Sequence, residues 1–354
     1  MKGLILAGGT GSRLRPITYT LPKQMLPIAG KPVLEHAVEK IRRAGIDEVG
    51  IVLGEHGHEA IKSYFGDGSG FGIDITYIHQ GEPLGLAHAV GCAEQFVGDD
   101  PFVLYLGDDL IQQDLSEFVD RFDPETQAGS LAVQHVADPS RYGIVNVNDD
   151  NEIVGLIEKP DDPPTDMAAI GIFILTPLIF ERIREIDPSW RGELELTDAI
   201  QRAITDGEQF TVYTVDGWWR DVGTPEDVIE SNYLALDDLD PDLMGVVEDE
   251  ANVKGRVHAE PGSVIKSGAT VVGPVYLGEG ATIESGTYIG PFTTIAAECT
   301  IDGCRIEQSV VLRGSEIETD QQVSETLIGR NVTVVDRQDG RNELLLGNDA
   351  TVRL

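Results

Sequence analysis

A doubly wound α/β domain followed by a parallel β-solenoid is the fold class that this chain of 354 residues predicts. Three observations lead to it. Apolar runs of strand length alternate with segments of helical period over the first two thirds, the pattern of a mainly parallel sheet with sites at the C-terminal ends of its strands. Beyond residue 245 aliphatic residues recur at every sixth position, as in a solenoid whose coil faces each place one such side chain inside. The length also exceeds that of a usual single domain. The predicted division is 1–240 for the α/β domain and 246–354 for the solenoid, with DDLDPDLMG as a linker.

The first strand, an apolar run over residues 4–7, breaks into Gly8, Gly9, Thr10 and Gly11. Glycines there can take positive φ and, lacking a Cβ, let a polyphosphate approach the backbone amides. Arg13 adds a planar fork suited to phosphate oxygens and Lys23 a point charge. Neither the P-loop spacing nor the GxGxxG of a dinucleotide-binding turn is present. A glycine-rich turn by itself is more often a turn than a site. AGGTGSRLRPIT followed by PKQMLPIAGKP resembles the signature of sugar-1-phosphate nucleotidyltransferases, and among them the long-form glucose-1-phosphate thymidylyltransferases. The resemblance implies a Rossmann-like nucleotidyltransferase domain in which Leu6, Gly8, Gly9, Gly11 and Arg13 bind the nucleotide, with Arg13 and Lys23 catalytic.

In chain order, Val33, Leu34, Ala37, Val38 and Ile41 recur with helical period, and Gly45 can close that helix. Strands are predicted at 49–53, 73–79 and 102–106, with helices at 60–65 and 86–96 between them. Gln80-Gly-Glu-Pro-Leu-Gly85 ends a strand and opens a helix. A side-chain amide beside free backbone amides is the donor and acceptor pair that a pyrimidine edge asks for, although an ordinary polar turn fits as well. In related thymidylyltransferases the residues matching Gln80 and Gly85 read the base, and many carry aspartate where this chain has Leu84. Leu106-Gly107-Asp108-Asp109 ends a hydrophobic strand, so Asp108 would face the crevice where a Mg²⁺ needs one or two carboxylates. Solvated loop aspartates are common in so acidic a chain, and it is the resemblance that assigns Asp108 to metal. Many relatives have asparagine at the next position, so Asp109 receives no sugar-contacting role.

A strand at 130–135 precedes a hairpin running from Tyr142-Gly143-Ile-Val to Ile157-Glu158-Lys159-Pro160. An adjacent Glu–Lys pair is usually a solvated surface feature. EKP after YGIV, however, resembles the sugar-phosphate site of the family. That implies Lys159 on the phosphate of the sugar 1-phosphate, with Glu158 and the Gly143 amide on sugar hydroxyls. RGELELTD (191–198) opens a helix with Thr197 as N-cap and resembles the stretch that walls the family's sugar pocket. After a strand at 211–215, WWRDVGTP places Thr224 as N-cap, Pro225 first and Asp227 third in a helix. The resemblance makes Asp221, just before it, the second metal carboxylate, while Trp219 is read as packing.

Ile265, Val271, Leu277, Ile283, Ile289, Ile295 and Ile301 fall at six-residue intervals. The period then slips by one and continues as Ile306, Leu312, Ile317, Val323, Ile328 and Val334, giving four to five expected coils. Their hand is left by resemblance to other hexapeptide proteins. The solenoid is expected to serve assembly into a homo-oligomer, so that removing residues 246–354 leaves the catalytic set complete.

The chain carries 26 basic against 61 acidic residues, a net charge of −35. A polyanion partner would need a basic face, which excludes nucleic acid. Acid spread through every segment, with eight lysines against eighteen arginines, suits a salt-rich cytoplasm in which screening suppresses self-repulsion. No apolar run reaches spanning length and no basic-then-apolar leader is seen, so a cytoplasmic enzyme without a membrane partner is expected. Cys92, Cys299 and Cys304 form no CxxC pair, which supports neither a disulfide framework nor a zinc site.

Together the resemblances imply a Mg²⁺-dependent enzyme whose substrates are a nucleoside triphosphate and a sugar 1-phosphate, converting dTTP and α-D-glucose 1-phosphate to dTDP-glucose and diphosphate. QGEPLGLAHAV also resembles uridylyltransferases, which leaves UTP as the alternative nucleotide. An acetyltransferase activity in the solenoid lacks bases, since His258 is the one histidine beyond residue 135. A non-catalytic sugar-nucleotide sensor is opposed by the presence of every expected charged residue.

Overall fold

The computed structural model describes residues 1–55 and 57–335. The chain divides into two compact units, one of residues 1–10 with 33–221, the other of 11–32 with the chain from 222 onward.

The first unit is built on a nine-stranded sheet. Strands β1 (Lys2–Ala7), β2 (Glu48–Leu53), β3 (Asp74–His79) and β4 (Phe102–Leu106) are parallel in the order β4-β1-β2-β3. The near-continuous apolar sequences of β1, β2 and β4 suit strands covered on both faces, while β3, at the edge of the sheet, alternates polar and apolar residues and is part-exposed. The other half is mixed. It comprises β5 (Gly129–His135), β6 (Gly143–Val147), β7 (Ile153–Glu158), β8 (Met167–Leu175) and β9 (Phe210–Thr214). β8 runs antiparallel to both β4 and β5, β6 and β7 form the predicted hairpin, and β9 lies parallel to β5. The register of β8 against β5 shifts between Ala169 and Phe173, where Gly171 takes a φ of 71°. This bulge bends the strand beside the candidate site.

Helix Val33–Arg43 buries the five apolar positions its period singles out. The single helix predicted over 86–96 is two, Leu86–Gly91 and Glu94–Val97, because Ala93 leaves helical geometry at φ −91°, ψ 0°. The helix expected to be capped by Thr197 is Leu196–Thr205, with Glu195 at the cap position. Thr197 therefore lies inside the first turn, and its hydroxyl donates to Glu158 Oε2 at 3.2 Å instead of capping.

In the second unit, helix Pro225–Asp237 starts at the predicted cap, Thr224, which forms a full capping box with Asp227. Thr224 Oγ1 accepts from the Asp227 N–H at 3.3 Å, and Asp227 Oδ2 accepts from the Thr224 N–H at 2.7 Å. The solenoid consists of three parallel sheets of six, six and five strands, consistent with a left-handed β-helix. Ile265 through Ile301 in the predicted ladder are at most 1 % exposed. The described strands make between five and six coils rather than four to five. The extra coil is Asp242–Leu243, Val246–Val247 and Asn252–Lys254, whose strands are largely exposed and so lack the aliphatic signature. Its first strand falls within the predicted linker. After the slip, Ile295 pairs with Val311 and not Leu312, and Val311 with Ile328, so Val311 carries the ladder. Residues 336–354 of the predicted solenoid lie outside the described residues. Among the described residues no helix is long and apolar enough to cross a membrane. Cys299 and Cys304 are buried in the solenoid, and burial pushes the Cys304 thiol up to about 11.

Candidate active site

Within the first unit a cavity of about 170 Å³ opens at the C-terminal end of β4, the position the doubly wound sheet favours. Asp108, Asp109, Gly143, Glu158, Lys159, Thr197, Trp219 and Asp221 all line it. Strand Asp109–Ile111 pairs antiparallel with Trp219–Asp221, which sets Asp109 opposite Asp221. As a result one carboxylate oxygen each from Asp108, Asp109 and Asp221 lies within 4.8 Å of the others. Asp109 is 3 % exposed. Carboxylates so close repel one another, a divalent cation among them would relieve that repulsion, and oxygen donors are what a hard divalent ion takes. The residues therefore fit a divalent metal, with Asp109 added to the predicted pair. The Tyr105 hydroxyl donates to the Asp109 carbonyl at 3.2 Å. Burial, reinforced by the charges of Asp109 and Asp108, pushes this phenol well above its usual range and keeps it a donor.

The carboxylate of Asp109 reaches the cavity because residue 171 has no side chain: a Cβ on Gly171 would be driven into Asp109 Oδ2.

The opposite wall is the end of the hairpin. Lys159 Nζ lies 3.5 Å from Glu158 Oε1, and Arg191 Nη1 3.6 Å from the same oxygen. Arg191 also reaches Glu195 at 3.5 Å and Glu193 at 2.7 Å, so RGELEL supplies a second cation and its own counter-charges to this wall. Gly143 is closed in by Thr197 Cγ2 and Glu158 Oε2, 2.9 and 3.3 Å from where its Cβ would stand. Trp219 meets the Tyr142 ring edge-on at 5.2 Å. Its indole N–H is buried and has no hydrogen-bond partner among the described residues. Asp109, Tyr142, Thr197 and Arg191 have no individual site role in the sequence reading, although 191–198 is read there as a wall of the sugar pocket. The apolar-run ending in two aspartates was a signal for the first, and the basic residue opening RGELEL for the last.

The predicted base-reading residues also come together in the first unit. Gln80 Nε2 donates to the Gly85 carbonyl at 3.2 Å, and Gln80 Oε1 lies over Gly8, 2.8 Å from where a Cβ would be. Gln80 Nε2 also approaches His88 Nδ1 at 3.4 Å. Leu84 is exposed, and its carbonyl accepts from the Leu194 N–H at 2.8 Å. Leu6 is buried in the core with its carbonyl accepting from the Gly107 N–H at 2.9 Å.

Gly11, Arg13 and Lys23 belong to the second unit. Of the three loop glycines only Gly11 takes positive φ, 60°, as N-cap of a 3₁₀ turn over Ser12–Leu14. Its carbonyl accepts from Thr18 Oγ1 at 2.7 Å. The Arg13 guanidinium lies against Gly223, at the start of helix Pro225–Asp237, and is exposed without an ion pair among the described residues.

Comparisons with known proteins identify the family. The nucleotidyl transferase family profile matches residues 2–238, and that of the GMPPB C-terminal domain matches residues 271–354. The low-salt glycan biosynthesis nucleotidyltransferase Agl11 of Haloferax volcanii is 47 % identical over the whole of both chains. A glucose-1-phosphate thymidylyltransferase of Streptomyces antibioticus is 43 % identical over 100 % of this chain and 99 % of its own. Among solved structures, a UDP-glucose pyrophosphorylase complexed with UDP-glucose superposes with a TM-score of 0.61 at 31 % identity, covering 67 % of this chain and 99 % of that one. With a family match over two thirds of its length and full-length relatives, the chain belongs to the nucleotidyl transferase family and is a sugar-1-phosphate nucleotidyltransferase.

Proposed function

We propose that the enzyme is a Mg²⁺-dependent glucose-1-phosphate thymidylyltransferase, making dTDP-glucose and diphosphate from dTTP and α-D-glucose 1-phosphate. The observation that carries this reading is a cavity with a cationic wall, Lys159 beside Glu158, facing three clustered aspartates, in a chain similar over its full length to a thymidylyltransferase. Lys159 holds the phosphate of the sugar 1-phosphate and orients one of its oxygens for in-line attack on the α-phosphorus. Glu158, kept in place by Thr197 and Arg191, and the Gly143 amide take sugar hydroxyls. Asp108 and Asp221, with Asp109 beside them, hold Mg²⁺, which supplies neutralisation of the nucleotide phosphates. Arg13 takes the leaving diphosphate and Lys23 the α-phosphate region, while Leu6, Gly8, Gly9, Gly11, Gln80 and Gly85 seat the nucleotide. No covalent enzyme intermediate is required: positioning and charge neutralisation carry the rate.

UTP is the second reading, favoured by the likeness to a structure holding UDP-glucose and left open by Leu84, where many thymidylyltransferases carry aspartate. Initial rates with dTTP, UTP, dATP, CTP and GTP, each crossed with several sugar 1-phosphates, decide between them. A dTTP preference with glucose 1-phosphate is expected; a UTP preference overturns the thymidylyl assignment and leaves the class intact.

Lys159→Ala is expected to raise KM for the sugar phosphate about 30-fold, the loss of a charge-assisted contact of roughly 2 kcal/mol, with little change in KM for the nucleotide. Unchanged sugar-phosphate kinetics would remove Lys159 from the site.

The charge of −35 motivates a further expectation, that the enzyme is adapted to salt. Screening shortens from about 10 Å at 0.1 M to about 3 Å at 1 M, so melting temperature and rate should rise across that range of KCl. A flat melting curve refutes it.

A further inference from the structure

Residues 27–32 fold into a hairpin in which Pro27 pairs with Pro32 and Ile28 with Lys31. Its central residues Ala29 and Gly30 take φ of 49° and 89°, the left-handed pair of a type I′ turn. This tip is held by residues far along the chain within the second unit. The Ala29 N–H donates to Asn232 Oδ1 at 3.0 Å, and the same oxygen accepts from Thr294 Oγ1 at 2.7 Å, while Asn232 Nδ2 donates to the Phe292 carbonyl at 3.3 Å. Asn232 is 1 % exposed, so these bonds are made without competing water. The neighbouring Tyr233 ring stacks on Phe292 at 3.7 Å. On the other side of the tip the Tyr276 ring lies on Gly30 so closely that any Cβ would be driven into it. Tyr276 is in turn stacked on His258 at 5.4 Å and donates to Glu260 at 3.3 Å.

Asn232 sits on helix Pro225–Asp237, whose first residues follow Gly223, the glycine against which the Arg13 guanidinium lies. The segment carrying Arg13 and Lys23 thus touches the start of this helix through the Arg13 side chain. At its other end it is fastened to the middle of the helix and to the solenoid strand Val275–Leu277.

We propose that the solenoid is the mount of the phosphate-binding segment, with Asn232 and Tyr276 as positioning residues that act on nucleotide handling through the 27–32 hairpin. The proposal rests on the reading that Arg13 serves the nucleotide. It reverses the expectation that a chain cut at residue 246 keeps a working catalytic set, because Tyr276, Phe292 and Thr294 would leave with the solenoid. Geometric precision is what the mount supplies, since displacing a charged group by about 1 Å can cost up to about a hundredfold in rate.

The test uses the full-length enzyme, with Arg13→Ala as the reference. Tyr276→Ala and Asn232→Ala are expected to lower kcat/KM for the nucleotide at least about tenfold while KM for the sugar phosphate, whose cavity belongs to the first unit, stays within about twofold. Tyr276→Phe, which keeps the ring on Gly30, is expected to retain parental kinetics. If Asn232→Ala does not fold, the partly exposed Tyr276 pair decides alone. Parental nucleotide kinetics in Tyr276→Ala, while Arg13→Ala is impaired, overturn the mount. So does an equal loss toward both substrates, or a Tyr276→Phe enzyme as impaired as Tyr276→Ala. If Arg13→Ala itself is unimpaired, the reading of the loop fails first and the mount with it.

Discussion

Asp221→Ala is expected to lower kcat about a thousandfold or more without weakening the fold. The ladder between Asp109–Ile111 and Trp219–Asp221 is made by backbone groups, so it survives loss of the carboxylate. What is lost is one of the two predicted metal ligands, and a metal that neutralises phosphate charge is worth roughly 4 kcal/mol, which is about three decades in rate. Stability separates this from mere damage. The substitution removes one of three carboxylates held within 4.8 Å, so it should change how the melting temperature responds to Mg²⁺. With Mg²⁺ the parent should gain stability by binding and the variant should not; saturation at a hundred times Kd corresponds to about 2.7 kcal/mol. Melts and initial rates of both proteins with Mg²⁺ and with EDTA measure all of it. A variant that keeps its rate, or a parent fully active in EDTA, removes Asp221 from the metal site.

Gly171→Ala is the second change with a large expected effect, although it adds only one methyl group to a strand. At φ 71° an alanine costs on the order of 1–2 kcal/mol in backbone strain, and its Cβ would be driven into Asp109 Oδ2. Either the Asp109 carboxylate swings out of the cluster or the bulge in β8 straightens. We expect a kcat reduced roughly a hundredfold, a Mg²⁺ requirement shifted to higher concentration, and a melting temperature lowered by about 3–6 °C. Serine at the same position should behave alike, since it brings the same Cβ. Near-parental activity with an unshifted Mg²⁺ titration would show that Asp109 has no part in the metal cluster.

Much of this was visible in the chain because it is local. The capping box Thr224–Asp227 needs only residues three apart, and the helix over 33–43 only a period. The solenoid ladder was legible over 265–301 because each coil face repeats the same burial, and illegible in the coil of Asp242–Leu243, where the strands face solvent and no aliphatic residue is required. Past 301 the choice of Val311 over Leu312 was hidden, since Val310, Val311 and Leu312 are all buried and only strand pairing says which one continues the ladder. Thr197 had the composition of a cap, but Glu158 on a distant strand competes for its hydroxyl.

The motifs around Gln80, Asp108 and Glu158–Lys159 were legible in residue types and neighbours, and each lies at or just past the end of a strand of the nine-stranded sheet, while Asp221 ends a strand of a separate two-stranded sheet. Nothing local marks Gly171, a glycine inside an apolar strand, or Asn232, one polar residue on a helix. Their roles come from Asp109 and from Ala29, partners many residues away that meet them only when strands and helix pack. Burial then turns a missing Cβ or a single amide into a constraint, because a closed interior has neither room for another atom nor water to replace a lost hydrogen bond.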